Sequence, residues 1–332
     1  MNDCMPHYYR ITNGHGQGAE RIMNAEAEFL QGRFVDAQIC LENTYVHIAE
    51  NGQENMVLCC DFLALRLALC TELSLSYTIA ERRKELLRRH NITWVTLFDS
   101  VCAYYYALSG QITQIPVLFR EHQLSTVNFL APGKPMMELI ENQVYLAQQE
   151  YAKVIGRSEG LLAVCEAMHY ALVALHVQIQ TAAAYECLGK RTEARNCLKR
   201  ALQIALPDQF YLPFVENYEY LEELLQREIQ TADAAEHVFL TKVTELGKNC
   251  QKRYGALRKT HMFPKIAAEL TEQEQRIIEL LAERLSNREI AEKLFLSEGT
   301  IKQYINRIYA KLQISGDVRT KRRQLIELLT AE

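Results

Sequence analysis

The sequence predicts an all-α protein in which a superhelix of tetratricopeptide-like helix pairs precedes a compact C-terminal domain of four helices. Glycine and proline are sparse from Ala19 to about Gln226, and they mostly separate stretches with helical apolar periodicity. Two of those stretches share one pattern of small and aromatic residues, which is typical of repeated helix pairs. The segment from Leu270 onward instead contains three Ser/Thr helix-start signals at short intervals.

The composition is that of an ordinary globular protein. The 332 residues give room for about two domains, with 48% hydrophobic and 23% charged residues. No apolar run approaches the roughly 18 to 20 residues of a membrane span, and the N-terminus lacks the apolar core of a secretion signal. We therefore expect a cytoplasmic protein with no membrane partner. Its ten cysteines contain no CxxC pair, which favours reduced thiols, with a metal site as the alternative.

The charge is distributed unevenly along the chain. The net charge is −4, yet Lys248 to Arg323 contains 17 Lys and Arg against 9 Asp and Glu, a net charge of +8. The remainder therefore carries −12. A basic C-terminal segment on an acidic body indicates a nucleic-acid partner at that end, whereas a solvated charged surface is the alternative interpretation.

Residues 1–18 are expected to form a lead-in before the first repeat. His15 lies between two glycines, but no Lys-Ser/Thr pair follows, so the segment lacks the residues with which a P-loop holds phosphate and Mg²⁺. The chain has no GxSxG or HExxH motif, and its histidines lack metal-ligand spacing. The sequence therefore predicts no catalytic residue, no metal and no cofactor.

The helical-repeat domain is predicted to span residues 19–250. In its two clearest helix pairs an alanine follows a glycine by five residues, as Gly32 and Ala37 in the first and Gly189 and Ala194 in the second. Glycine permits the tight turn between antiparallel helices, and the small alanine allows them to pack closely. Tyr185, Leu198 and Ala201 complete the tetratricopeptide register of the second pair.

Further turns and a linker are predicted between and after these pairs. Gly110 and Gly156 indicate two turns, and an average repeat of about 40 residues requires another near Thr71. Residues 251–268 carry five Lys and Arg and no acidic residue, which indicates a basic interdomain linker before the domain at residues 269–332. Aromatic residues of the array are candidates to line a concave binding surface, with packing between helices as the alternative: Tyr8, Tyr9, Trp94, Tyr104, Tyr105, Tyr106, Tyr218 and Tyr220.

Three helix starts organise the C-terminal domain. Thr271 with Glu274, and Ser286 with Glu289, each form the Ser/Thr-x-x-Glu capping box, in which hydroxyl and carboxylate satisfy unpaired N–H groups at a helix start. Ser297 caps a third helix after the short FLS turn. The apolar residues that follow these caps predict the domain core: Ile277, Ile278, Leu281, Leu285, Ile290, Ala291, Leu294, Ile301, Ile305, Ile308 and Leu312.

The third helix is apolar on one face and polar on the other. Lys302, Gln303 and Asn306 lie opposite the isoleucines, and we call these three residues the recognition face. Lysine donates to guanine acceptors in the major groove, and Gln or Asn pairs bidentately with adenine. An ordinary surface helix is the alternative interpretation. Three capped helices and a polar third helix together favour a helix-turn-helix that binds double-stranded DNA.

The segment LSNREIAEKLFLSEGTIKQYINRIYAKLQI resembles the LuxR-type helix-turn-helix signature. The resemblance covers Leu270 to about Leu329 and implies a fourth helix, about Thr320 to Thr330, that forms a homodimer on DNA. It implies base contacts from the recognition face. It also implies phosphate contacts from five residues: Asn287, Thr300, Tyr304, Arg307 and Lys311. Tyr304 and Gln313 depart from the residues common in that family.

The stretch from Glu141 to Glu332, which begins ENQVYLAQQEYAKVIGRSEGLLAVCE, resembles the sensor and DNA-binding parts of MalT-like regulators. That resemblance implies an inducer, whether small molecule, peptide or protein, on the helical repeats. Such regulators carry an ATPase domain ahead of the sensor, but this chain has no GxxxxGK[ST] motif. The chain is thus either a short relative or the C-terminal piece of a longer protein.

Two functional hypotheses follow. The first is a DNA-binding transcriptional regulator, expected to be an activator, whose helical repeats sense a ligand or protein partner. The second is a tetratricopeptide-like interaction scaffold whose helix-turn-helix no longer binds DNA. DNA titrations at two salt concentrations distinguish them, because phosphate contacts make binding salt-dependent.

Overall fold

The structure is a computed structural model that describes residues 5–14, 16–53, 56–72, 75, 78–129, 131–268, 270–282, 285–311, 314, 321 and 325. Those residues form helices and turns and contain no strand, which confirms the predicted all-α class. The chain divides into two compact units, Met1–Arg253 and Tyr254–Glu332. No helix in the described part is both long and apolar enough to cross a membrane.

The helices, numbered in chain order, are α1 Met5–Ile11, α2 Ala19–Leu30, α3 Phe34–Glu50, α4 Val57–Cys70, α5 Ile79–Arg88, α6 Ile92–Leu108, α7 Val117–Arg120, α8 Lys134–Ala147, α9 Tyr151–Ala167, α10 Ala171–Cys187, α11 Arg191–Ala205, α12 Leu212–Glu216, α13 Tyr218–Ile229, α14 Ala234–Ala268, α15 Glu272–Ala282, α16 Asn287–Leu294 and α17 Glu298–Lys311. Three 3₁₀ turns lie between α6 and α8, at Ile112–Gln114, Leu124–Thr126 and Ala131–Gly133.

Most of the predicted glycine turns are confirmed. Gly32, Gly110 and Gly189 follow α2, α6 and α10 with φ of 73°, 69° and 71°, a left-handed conformation that glycine adopts without steric cost. The expected break near Thr71 is also present, because α4 ends at Cys70. The predicted turn at Gly156 is wrong, since this residue lies inside α9.

Non-glycine residues make the turns on either side of α9. Gln149 before the helix and His169 after it have φ of 64° and 56°. Each is an L-residue in the left-handed region, which costs roughly 1–2 kcal/mol and gives no glycine signal in the sequence. Because neither turn contains glycine or proline, the sequence pattern does not indicate where α9 begins and ends.

Alternate helices of the first unit form a closed ring. Helix α2 packs on α4, α4 on α6, α6 on α8, α8 on α10, α10 on α12, and α12 returns to α2. Two hydrogen bonds join the ends of the ring: the N–H of Tyr211 donates to the carbonyl of Leu30, and Nε2 of Gln31 donates to the carbonyl of Asp208, each at 2.8 Å. Helices α3, α9 and α11 pack against their ring neighbours.

The helix pair α10–α11 packs as its sequence pattern predicts. Ala194, Leu198 and Ala201 of α11 are fully buried, and α11 packs on both α10 and α13. Small side chains at the crossing allow the two helices to approach closely. The assignment of this and the other pairs to tetratricopeptide repeats stays a prediction.

Two segments are more helical than expected. The lead-in contains α1. Later in the lead-in, the N–H of Gly16 donates to Oε1 of Gln53 at 3.0 Å. The basic segment 251–268 is also helical, because α14 continues through it, and its role as an interdomain linker stays a prediction. Lysine and arginine are good helix formers, so a basic segment without proline at its centre can extend a helix as readily as end it.

Candidate DNA-binding site

Helices α15, α16 and α17 pack around one apolar cluster. Its buried members are Leu270, Ile277, Ile278, Leu281, Ile290, Ala291, Ile301, Ile305, Ile308, Tyr309 and Leu325. Leu285 and Leu294 are partly buried against the same cluster. The core predicted from the apolar spacing is therefore confirmed wherever the structure describes it. Leu312 lies outside the described residues, and the apolar spacing did not indicate three further core members, Leu270, Tyr309 and Leu325.

The predicted capping groups hold the starts of the three helices. Ser286 and Glu289 form a complete capping box at α16, with Ser286 N–H donating to the Glu289 carboxylate at 2.7 Å. At α15, Thr271 N–H donates to the Glu274 carboxylate at 2.8 Å. At α17, the Ser297 hydroxyl accepts from the N–H of Thr300 at 3.0 Å. Such caps fix where each helix begins and therefore which residues face the core.

The turn between α16 and α17 is tight and exposes an aromatic residue. Phe295 ends α16 in the left-handed region with φ of 55°, and its side chain is 96% exposed. The next residue, Leu296, donates its N–H to the carbonyl of Ala291 at 2.9 Å and packs against the core. The predicted FLS turn is thus present, while the exposure of Phe295 was not anticipated.

The recognition face projects into solvent from α17. Lys302, Gln303 and Asn306 are exposed, while Ile301 and Ile305 on the opposite side of the helix are buried in the core. Lys302 is 62% exposed, and its Nζ lies 3.2 Å from a carboxylate oxygen of Glu298 one turn earlier. An exposed pair of this kind contributes at most about 1 kcal/mol, so it does not prevent Lys302 from contacting another group.

The candidate phosphate contacts lie in different environments. Asn287 is the first residue of α16, and Thr300 lies in the first turn of α17, with its hydroxyl 2.8 Å from that of Ser297. Arg307 is exposed, and its guanidinium carbon lies 5.5 Å from the ring centroid of Tyr304. Tyr304 is half-buried against the core, so its ring also has a packing role.

Lys311 connects two helices of the domain. Its Nζ lies 2.7 Å from the carboxylate of Glu274, whose side chain is only 3% exposed. Burial alone raises the pKa of Glu274, but the hydrogen bonds from Lys311 and Thr271 outweigh it and lower the pKa below its ordinary value. In this arrangement Lys311 joins α17 to α15, a structural role beside the phosphate contact implied by the resemblance.

Part of the predicted domain lies outside the described residues. Of the fourth helix expected from about Thr320 to Thr330, the structure describes only Lys321 and Leu325, and Gln313 is also outside. Leu325 is buried in the domain core, and Nζ of Lys321 lies 6.0 Å from the ring centroid of Tyr309. Across the described residues, no three His, Cys, Asp or Glu side chains are grouped so as to hold a metal ion.

Comparisons with known proteins identify the family of the C-terminal domain. Residues 268–322 match the family described as bacterial regulatory proteins, luxR family. The chain is 49% identical over 43 residues to the DNA-binding transcriptional activator DevR/DosR of Mycobacterium tuberculosis. That match covers 13% of this chain and 20% of the relative, so the chain spans about a fifth of the relative's length. No solved structure matches the chain.

The C-terminal segment is therefore a LuxR-family helix-turn-helix domain, with α16 and α17 as its two central helices. The predicted LuxR-type resemblance is confirmed for this segment. The comparisons say nothing of residues 1–267, so the MalT-like resemblance stays a prediction. The roles of individual residues in DNA contact also stay predictions.

Proposed function

We propose that this chain is a sequence-specific DNA-binding transcriptional regulator whose helical array senses a ligand or protein partner. The assignment rests on one observation above the others: α17 is packed on the core by its isoleucines and exposes Lys302, Gln303 and Asn306 on the opposite side. A rigidly packed helix with polar side chains on its outer face fits the major groove, where these residue types hydrogen-bond base edges. We further propose that it is an activator, as the relative from M. tuberculosis is named.

Phosphate contacts would supply most of the affinity in this proposal. Arg307 and Lys302 are exposed cations on α17, and the start of α16 presents Asn287 at a helix N-terminus, where backbone N–H groups favour anions. Each phosphate neutralised by a cation contributes about 0.9 to the slope of log affinity against log salt. Binding should therefore weaken steeply with salt.

Fluorescence anisotropy with labelled duplex DNA of mixed sequence, at a low and a physiological salt concentration, tests the proposal. We expect salt-sensitive binding that weakens uniformly across sequences when Arg307 is replaced by Ala. Lys302→Ala should cost about 1–3 kcal/mol on a bound site and relax base preference. Absence of binding at low salt would leave the interaction scaffold as the function of the chain.

Lys242→Ala is the matched control for Lys302→Ala. Lys242 lies on α14 in the first unit and pairs with Glu245 of its own helix at 3.1 Å, as Lys302 pairs with Glu298. Both substitutions remove a lysine that is ion-paired within its own helix, so their effects on helix stability are similar. Equal losses of DNA affinity in the two variants would contradict the assignment of the recognition face.

We also propose that the regulator binds DNA as a homodimer. A two-fold dimer places two recognition helices about 34 to 36 Å apart, one turn of the duplex. Analytical ultracentrifugation with and without a DNA containing two half-sites measures the stoichiometry directly. One chain per two-half-site duplex at saturation would rule out the dimer and leave the rest of the proposal intact.

A further inference from the structure

The ring of alternate helices lines a cavity of about 490 Å³ that is open to solvent. Its walls come from α2, α4, α6, α8 and α10, and they are largely apolar: Phe62, Tyr104, Leu139, Leu172 and Val173 are among the lining residues. Met23, which also lines it, is 52% exposed, so the cavity communicates with solvent. This volume lies within the range of small-molecule sites and is small for a folded protein segment.

One end of the cavity is polar. Arg66 of α4 lines it and is buried, with Nε donating to the carboxylate of Glu216 at 2.7 Å and Nη1 paired with Glu26. The hydroxyl of Tyr104 donates to the same Glu216 carboxylate at 2.8 Å. The cluster joins α2, α4, α6 and α12, so the polar end of the cavity is fixed by four helices of the ring.

Two buried polar atoms at this end have no hydrogen-bond partner. They are Nη2 of Arg66 and Nδ1 of His176, and both residues line the cavity. Arg66 is 3% exposed and His176 6% exposed. Leaving a buried polar atom unsatisfied is costly, and more so when the group is charged, so native structures rarely retain one without a reason. Arg66 and His176 therefore bring unpartnered polar atoms to the same end of the cavity.

The charges at this end of the cavity determine which ligand charge can be accommodated there. Burial alone lowers the pKa of Arg66, but the carboxylates of Glu216 and Glu26 raise it above its ordinary value, so the guanidinium stays charged. Burial, and then the nearby Arg66, lower the pKa of His176 to about 3, so its ring is neutral at physiological pH. Two carboxylates already surround one guanidinium, and a third anion would be repelled by both.

We propose that this cavity binds an uncharged, mostly apolar small molecule with one hydrogen-bonding oxygen. The oxygen accepts from Nη2 of Arg66 and lies beside Nδ1 of His176, while the apolar part contacts the walls formed by α8 and α10. This inference rests on the proposed sensor role of the helical array. It adds where the inducer binds and what its chemistry is. Because the ligand contacts several helices of the ring at once, its binding stabilises the closed ring.

Two fluorescent naphthalene dyes test the site in the full-length protein. Prodan is an uncharged ketone, and ANS is a sulfonate of similar size. We expect saturable prodan binding with one site per chain and weaker binding of ANS. Tighter binding of ANS than of prodan at a site blocked by Leu172→Trp would overturn the uncharged class of ligand.

Matched variants locate the binding. Leu172→Trp fills the cavity from α10 and should weaken prodan roughly tenfold or more, because the dye and the indole compete for one volume. Leu188→Trp, at an exposed position just after the same helix, should leave binding unchanged. His176→Phe keeps the ring volume and removes the unpartnered nitrogen, so it should weaken prodan roughly five- to tenfold. Prodan binding that is equal in all four proteins, or absent from the wild type, would overturn the proposal.

The same preparations are titrated with labelled DNA. Loss of prodan binding with intact, salt-sensitive DNA binding contradicts only the cavity. Loss of DNA binding in the wild type with intact prodan binding contradicts the proposed regulator and leaves the cavity. Leu172→Trp and His176→Phe should both retain DNA binding at low salt. Their cooperative urea unfolding, followed by circular dichroism, should match that of the wild type, which shows that the ring is folded in both variants.

Discussion

The two compact units present their candidate functional residues in opposite ways. In the C-terminal unit, the recognition face comes from one helix of 14 residues and points outward from a packed core. In the N-terminal unit, the cavity is lined by α2, α4, α6, α8 and α10, and Arg66 and His176 at its polar end are buried. An exposed face suits a rigid duplex much larger than the domain. An apolar cavity of this size suits a small molecule instead.

The difference also concerns what holds each site in place. The recognition face needs only its own helix, its cap at Ser297 and the isoleucines beneath it. The cavity needs the whole ring, including the bond between Arg66 and Glu216, which are 150 residues apart in the chain. Local damage should therefore abolish DNA binding selectively, while the cavity should respond to changes anywhere in the ring.

The largest expected effect is that of Ile301→Ala in the core of the C-terminal unit. Ile301 is fully buried beneath the recognition face, and removing such a side chain costs about 2–5 kcal/mol. Hydrogen exchange of the full-length protein should show faster exchange of α15–α17 amides, with DNA binding weakened in parallel. Ile39→Ala, at an exposed position of α3, is the control and should change neither. Unchanged protection of α15–α17 in Ile301→Ala would show that this core does not hold the recognition face.

Next is Glu274→Gln, which breaks the contact between α15 and α17. Because the Glu274 carboxylate is buried against Lys311, the substitution should cost about 1.5–3 kcal/mol of stability in the C-terminal unit. Glu292→Gln removes an exposed pair with Arg288 and should cost less than about 1 kcal/mol. Chemical denaturation followed by hydrogen exchange at α15 compares the two variants, and equal costs would contradict the structural role of Lys311.

The difference in stability between the wild type and Glu274→Gln should change with pH in a definite direction. The pKa of Glu274 is lower in the folded protein than in the unfolded chain, where it is about 4.3. The Glu274 carboxylate therefore stabilises the fold fully at pH values above about 4.3, and this stabilisation is lost as the pH falls through the folded pKa. The stability gap between wild type and Glu274→Gln should be constant from about pH 7 to pH 5 and shrink below about pH 4. A gap that grows on acidification would contradict the lowered pKa.

Two glycine substitutions in the helical array should change its stability by smaller amounts and in opposite directions. Gly247 on α14 faces the ring of Tyr218, which a methyl group would overlap, so Gly247→Ala should destabilise the unit by about 1–3 kcal/mol. Gly156 lies inside α9 with open space around it, so Gly156→Ala should stabilise by about 0.5–1 kcal/mol. Urea denaturation followed by circular dichroism measures both. Destabilisation by Gly156→Ala would contradict the helical position of Gly156 and favour the turn that the sequence indicates there.

The smallest expected effect concerns the turn before α17. Phe295 has a left-handed backbone and an exposed ring, so Phe295→Gly removes backbone strain without removing a core contact. We expect stabilisation of about 0.5–1 kcal/mol, read from the exchange protection of α16 and α17. A marked loss of stability would show that the ring of Phe295 packs in solution. Weaker DNA binding without any loss of stability would instead assign the ring a contact with DNA.

The sequence predicted the C-terminal unit in more detail than the helical array. The caps at Thr271, Ser286 and Ser297 and the apolar stripes that follow them are local signals, each complete within a few residues. The pair between Lys311 and Glu274 was missed because nothing local connects positions 37 residues apart. The exposure of Phe295 was missed because a left-handed turn residue of this size has no sequence signature.

In the array, local patterns predicted helices but not their arrangement. Gly32 and Gly189 correctly indicated turns, because glycine there adopts a positive φ. Gly156 misled because a glycine within a helix looks the same in the sequence as one that ends it. The closed ring and the cluster around Arg66 depend on contacts between distant helices. Of the aromatic residues proposed to line a binding surface, Tyr104 does line the cavity.

Selection of bound duplexes from a random DNA pool tests the central claim most directly. The wild-type protein and the Asn306→Ala variant are each used to enrich sequences, with Lys242→Ala as the control. If the recognition face contacts bases, the wild type and the control enrich one motif, and Asn306→Ala relaxes it at defined positions, most directly at an adenine. Enrichment of no motif by the wild type, or of an unchanged motif by Asn306→Ala, Lys302→Ala and Gln303→Ala alike, would contradict the claim.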